Sequence, residues 1–204
     1  MPAMAWAQDG VDKKAQEILS GLSKKYKSYN SVKADFSILI EDPRDKSKME
    51  QSGTLFLKGN KYKIQIEGQD VFSDGKTRWT YLKDANEIQI DNQRTEENAI
   101  NPTNIFTIYE KGWKSKYTGE QKTKNVAYQV VELVPVDGKS KNVFKVRLMI
   151  NKQQKSIASA KIYDKNGTTQ TITVEKFVAD GAGDDSIYVF QESKYPGSEI
   201  VDLR

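Results

Sequence analysis

"VFSDGKTRWTYLKDANEIQI", residues 71–90, carries a Ser73-Asp74-Gly75-Lys76 turn between strand-like runs, and the fold is decided by how those runs are read. Beyond the turn Trp79 and Tyr81 lie two residues apart. In a strand both point to one face, while Arg78, Thr80 and Leu82 point to the other.

The same alternation extends in both directions. Upstream, Val32, Ala34, Phe36, Ile38 and Ile40 alternate with Lys33, Asp35, Ser37 and Leu39, Leu55 and Leu57 follow, and Tyr62, Ile64 and Ile66 alternate with Lys63, Gln65 and Glu67. Lys58-Gly59-Asn60-Lys61 and Lys83-Asp84-Ala85-Asn86 supply hairpin turns, so this half reads as an antiparallel meander with one wet face. Summing the apolar positions places Phe36, Ile38, Ile40, Leu55, Leu57, Tyr62, Ile64, Ile66, Trp79, Tyr81, Ile88 and Ile90 on a single side. Further strands are expected near 114–120, 126–136, 143–151, 156–163, 169–178 and 186–191.

Two segments break the period of two. Residues 9–29 read as a helix, with Val11, Ala15, Ile18, Leu19, Leu22 and Tyr26 at three- and four-residue steps and Asp9 or Asp12 as N-cap. In "NPTNIFTIYEKGWK" Asn101 caps, Pro102 suits a first helical turn, Ile105, Phe106, Ile108 and Tyr109 form an apolar face, and Gly112 stops a short helix. No linker divides the pattern, so residues 9–204 are expected to form one domain. A sheet of about ten strands curls on itself. The expected class is mainly β with α: a single curved antiparallel sheet, an incomplete β-barrel, covered by the N-terminal helix and the short helix. Two helices are few for so wide a sheet, so either the sheet closes tightly on itself or it leaves an apolar cleft lined by large flat side chains, which suits an acyl chain.

Composition excludes several chemistries. The 204 residues are 37% hydrophobic and 29% charged, with a net charge of +4 spread along the chain instead of gathered in a basic arm, so nucleic acid is not an expected partner. The chain has neither Cys nor His, which removes disulfides, the Ser-His-Asp and Cys-His triads and the usual zinc ligands. No apolar run reaches the roughly 20 residues of a membrane-spanning helix. In "MPAMAWAQDG" the Ala-x-Ala spacings fit the end of a cleaved export signal, with residues 1–8 as leader remnant or vector-derived residues. Glu41-Asp42 with Asp45, Glu96-Glu97 and the "DGAGDD" of 180–185 offer carboxylates for catalysis or a weak Ca²⁺ site, but they sit in polar, turn-like text. Lys58, Lys61 and Lys63, and Lys111, Lys114 and Lys116, are basic clusters able to meet an acidic partner or water.

Gly53 to Leu57, Tyr62 to Ile66, Ser73 to Lys76, Trp79 with Tyr81, and the closing Pro196, Gly197 and Asp202 stand in the order found in the outer-membrane lipoprotein carriers of Gram-negative bacteria. The chain resembles that LolA-like family over about residues 9–204. The resemblance implies a monomeric periplasmic shuttle without cofactor or catalytic activity. It would bind the acyl chains of lipidated proteins, be loaded by an inner-membrane lipoprotein-releasing transporter and be unloaded at an outer-membrane receptor. It also implies a ligand site made of Phe36, Ile38, Leu55, Leu57, Tyr62, Ile64, Ile66, Trp79 and Tyr81, with Ile105, Phe106 and Tyr109 on a lid. Where the family carries Lys-Arg-Pro, whose Arg holds the lid closed, this chain has Lys58-Gly59-Asn60. Arg78 faces away from Trp79 and Tyr81 and is a poor substitute, so a more loosely held lid, or a different cargo, is expected. A sensing module on the same fold and a hydrolase using Asp184 and Asp185 are the competing readings.

Overall fold

The computed structural model describes residues 12–93, 100–138 and 142–204. The leader reading, Asp9 and Val11 of the expected helix, and Glu96-Glu97 lie outside them.

Helix α1 (Lys13–Lys27) starts where Asp12 accepts the Ala15 N–H at 3.0 Å, and it buries Ala15, Leu19, Leu22 and Tyr26, one stripe at three- and four-residue steps. Lys24, Lys25 and Lys27 occupy its last turn, where cations meet the negative end of the helix dipole. The second oxygen of Asp12 accepts Tyr117 N–H at 2.8 Å, so one carboxylate both caps the helix and ties it to the sheet. The Ala15 N–H, with other backbone donors and nearby Lys116, holds that carboxyl below the usual range despite partial desolvation.

The strands are β1 (Val32–Asp42), β2 (Ser47–Lys58), β3 (Lys61–Ile66), β4 (Gln69–Ser73), β5 (Thr77–Leu82), β6 (Glu87–Asn92), β7 (Trp113–Thr123), β8 (Val126–Pro135), β9 (Val143–Asn151), β10 (Ser156–Asp164), β11 (Thr169–Ala179) and β12 (Glu199–Asp202). They form a 12-stranded sheet in the order β12-β6-β5-β4-β3-β2-β1-β11-β10-β9-β8-β7. Neighbours are antiparallel except β12, which runs parallel to β6. As the alternation predicts, this is one open, curved sheet that does not close into a barrel. Register shifts at Asp35/Phe36 in β1, at two places in β10 and between Tyr117 and Gly119 in β7 bend the strands around α1.

On the inner face α1, Phe36 and Leu55 join Val131, Leu133, Val146, Leu148, Ile162 and Ile172 in one buried core. The outer face of β3 to β6 carries a second, smaller core, because the chain after β11 folds back over it. Phe72, Ile88 and Tyr188 are buried there, and Tyr195 packs against Phe72 at 6.1 Å, Tyr81 at 4.6 Å and Phe190 at 5.2 Å.

Three expectations are corrected. The 101–112 stretch is a succession of turns ending in a single 3-10 turn, Ile108–Glu110, not a regular helix: Asn101 accepts Thr103 N–H at 2.9 Å and bends the chain at once. The 186–191 stretch is not a strand. Both neighbours of β11 are already taken by β1 and β10, and Asp184 accepts Ser186 N–H at 2.8 Å to start a 3-10 turn, Asp185–Tyr188. Finally, the apolar residues of the first meander do not share one side. Tyr62 pairs with Ser73 and Ile64 with Val71, then Ser73 pairs with Arg78 and Phe72 with Trp79. Trp79, Tyr81, Ile88 and Ile90 therefore lie on the outer face, opposite Phe36, Leu55 and Ile64.

Candidate functional site

The inner wall is set by register. Ile38 follows Phe36 along β1; Phe36 stands opposite Gly53, which stands opposite Ile66; Ala34 stands opposite Leu55, and Leu55 opposite Ile64; Leu57 stands opposite Tyr62. Gly53 is required here by close approach: a Cβ would come to 2.4 Å from Gln65 O, 2.5 Å from Ile66 Cγ2 and 3.0 Å from the Phe36 ring. Phe36 and Leu55 are buried, whereas Ile38, Leu57, Tyr62, Ile64 and Ile66 are only half-buried and pack at the edge of the core. The result is a stripe of large apolar side chains at the margin of a filled interior.

The 100–110 segment covers the rest. Ile105, Phe106 and Tyr109 are buried, and Phe106 packs at a tilt against Tyr26 of α1 at 4.9 Å and edge-on against Phe177 of β11 at 5.7 Å. Glu110 ties the segment to α1, accepting Ser23 Oγ at 2.5 Å and Lys27 Nζ at 2.9 Å. The Tyr109 hydroxyl is buried and lacks a hydrogen-bond partner among the described residues, and burial pushes its pKa up.

The expected open cleft is filled by these side chains. A cavity of about 520 Å³ remains at one end of the inner face, with Ile100, Val143 and Ile162 as floor and Asn142, Asp164, Lys165, Asn166 and Gln170 as rim. At the other end the wall turns polar. Gln93 Oε1 accepts Tyr62 Oη at 3.0 Å and Ser73 Oγ at 3.0 Å, and Arg78 donates to Asp91 at 3.2 Å. Arg78 thus stands on the wall's own face, because the face of Trp79 and Tyr81 is the outer one. A long apolar surface with polar ends is the chemistry of an amphiphile site.

Of the sequence-derived site residues, the structure gathers Phe36, Ile38, Leu55, Leu57, Tyr62, Ile64 and Ile66 on one wall beneath or beside Ile105, Phe106 and Tyr109. Trp79 and Tyr81 are separated from them by the thickness of the sheet, and Tyr81 meets Tyr195 instead. Glu110, Ser23, Lys27 and Gln93 escape a sequence reading. The meeting of α1 with the 3-10 turn at Glu110 gives the first three a role, and the pairing of β3 with β4 brings Tyr62 and Ser73 to Gln93.

The carboxylates proposed for chemistry are occupied otherwise. Asp180 accepts Asn30 N–H at 2.7 Å and Ser31 N–H at 3.2 Å. Asp185 pairs with Lys58 at 2.5 Å and Lys61 at 2.8 Å, whose hydrogen bonds hold its carboxyl down to about 2. The hairpin between β2 and β3 therefore clamps the C-terminal segment. Glu41 pairs with Lys48 and Lys161, and Asp42 with Arg44. Among the described residues no group of three or more acids could hold a metal ion.

No curated protein matches the chain. Among solved structures, an uncharacterized conserved protein from Thermus thermophilus is similar with a TM-score of 0.61 at 13% identity, over 93% of this chain and 99% of that one. A DUF1329 family protein from Desulfovibrio piger gives 0.50 at 12% identity, over 92% and 100%. A LolA superfamily protein from Nitrosomonas europaea gives 0.45 at 16% identity, over 86% and 97%. For the first two the likeness, at these identities, is one of fold. The sequence itself matches the model of the outer membrane lipoprotein carrier protein LolA over residues 27–191, from the end of α1 through β11 and beyond, and the chain belongs to that family.

Proposed function

We propose that this protein binds the acyl chains of lipidated proteins on the inner wall and carries them through the periplasm toward the outer membrane. The family's members are binding and carrier proteins, not enzymes. The observation that supports the reading most is the half-buried apolar stripe of Ile38, Leu57, Tyr62, Ile64 and Ile66 beside a cover built from short turns.

Magnitudes favour exchange. Burying Ile105, Phe106 and Tyr109 is worth roughly 1.5–3 kcal/mol each, and a hydrocarbon chain gains about 0.8 kcal/mol per buried methylene. About a dozen methylenes on the wall thus offset the displacement of all three. In this reading Phe36, Leu55 and the stripe hold the chain, Ile105, Phe106 and Tyr109 move aside, and Trp79 and Tyr81 brace the outer core. Export through a cleaved leader, loading by an inner-membrane transporter, delivery to an outer-membrane receptor and action as a monomer belong to the same proposal.

Mass spectrometry of the protein purified from its native envelope tests it. Lipidated proteins should co-purify. Recovery of free lipid alone, in a form that never exchanges with lipidated protein, would contradict transport.

A further inference from the structure

The molecule's excess charge is gathered at one end. The β7–β8 hairpin carries Lys122 and Lys124, and the β9–β10 hairpin carries Lys152 and Lys155. The two turns lie side by side, Lys152 N–H donating to Ala127 O at 3.0 Å. Helix α1 adds two more lysines: Lys25 Nζ donates to Gln154 O, and Lys14 shares a cavity rim with Lys152 and Lys155. Glu17 and Glu120 are already paired, with Lys14 at 3.1 Å and with Lys152 at 2.7 Å. Lys122, Lys124 and Lys155 are exposed and have no acidic partner among the described residues. Six lysines thus stand against two glutamates, an excess as large as the +4 of the whole chain. Like charges held this close repel one another, a cost that an anionic surface would relieve.

The hollow between them has a second character. It measures about 260 Å³, and Ile18, Leu22 and Ile150 lie under its rim of Lys14, Lys152 and Lys155. Gly21 lines it, where an added Cβ would meet nothing within 4 Å. All six cations are lysines, compact point charges without the fork that reads a base edge or clasps one carboxylate in a fixed geometry.

We propose that this basic end docks the protein on the phosphate-bearing surface of an anionic lipid bilayer, with the apolar floor of the hollow taking up the edge of the lipid. A cluster of four to eight basic side chains is the size that binds such surfaces, and each contributes about fivefold in affinity. This goes beyond acyl carriage and uses none of the wall residues.

Co-sedimentation with vesicles tests the idea. Wild-type protein should bind phosphatidylglycerol-containing vesicles, release them in high salt and ignore pure phosphatidylcholine. The Lys122→Gln/Lys124→Gln/Lys152→Gln/Lys155→Gln protein should bind at least tenfold more weakly, and the Lys122→Gln/Lys124→Gln pair should fall in between. Both should keep the wild-type melting temperature and affinity for a fatty-acyl probe, so a failed carrier reading would show separately. Lys33→Gln/Lys176→Gln, on the outer face of β1 and β11, should bind like wild type. Equal binding to phosphatidylcholine, undiminished binding by the fourfold variant, or tighter binding to duplex DNA than to anionic vesicles would overturn the proposal.

Discussion

Gly53 shows how much of the wall rests on single atoms. Its hydrogen lies where Gln65 O, Ile66 Cγ2 and the Phe36 ring converge, and the backbone oxygen at 2.4 Å cannot give way as a flexible side chain would. Gly53→Ala should therefore lower stability by about 1–3 kcal/mol, the usual cost of overpacking, and thermal unfolding would read it as a reduced melting temperature. An unchanged melting temperature would mean that β2 and β3 are less tightly joined than described. Gly53 was legible as the start of a Gly-x-Leu strand. Its reason was not, because the residues that crowd it come from strands paired on either side. Val71-Phe72 marks the opposite limit. Two adjacent apolar residues in a five-residue strand erase the alternation, and a reader cannot tell which faces in. That ambiguity turned Trp79 and Tyr81 toward the wrong face, and only the pairing of Ser73 with both Tyr62 and Arg78 resolves it.

Among the elements, the 100–110 segment carries the functional interest. Its apolar residues and its start at Asn101 were readable; its irregular form was not, since Asn101 caps a helix and bends a turn with the same carbonyl oxygen. The contacts that hold the segment were not readable either. The segment is held by Glu110, on Ser23 and Lys27, and by Phe106 against Tyr26 and Phe177. Burial raises the Glu110 pKa, but hydrogen bonds from Lys27 and Ser23 and the charges of Lys27 and Lys111 outweigh it and hold the carboxyl below its ordinary value. A carboxyl lowered by folding stabilises above its unfolded pKa, and that stability fades as pH falls through the folded one. Lys27 is largely exposed, so the tie is worth less than about 1 kcal/mol. Hydrogen exchange at 103–110, corrected for intrinsic rates, should thus quicken relative to the central strands as pH drops through the glutamate range. Glu110→Gln should exchange faster at neutral pH and lose most of that step. If the variant matches wild type at every pH, Glu110 does not hold the cover.

At the scale of the whole molecule, one curved sheet serves two ends. Its inner face takes α1, the cover and the apolar stripe; its outer face takes the C-terminal segment through Tyr195, Tyr188 and the Asp185 clamp. The sheet, its antiparallel order and α1 were readable from periods of two and 3.6. The return of β12 parallel to β6 was not, because four residues of mixed polarity carry no period and the pairing spans over a hundred residues of chain. The central claim is that hydrocarbon binds the inner face and not the outer. A fluorescent fatty-acyl probe titrated against two variants tests it, each checked for native circular dichroism: Ile64→Asp on the wall and Trp79→Asp on the outer face. Loss of affinity in Ile64→Asp with retention in Trp79→Asp, and tighter binding of a sixteen-carbon than an eight-carbon probe, is the predicted result. Retention in Ile64→Asp with loss in Trp79→Asp would contradict it.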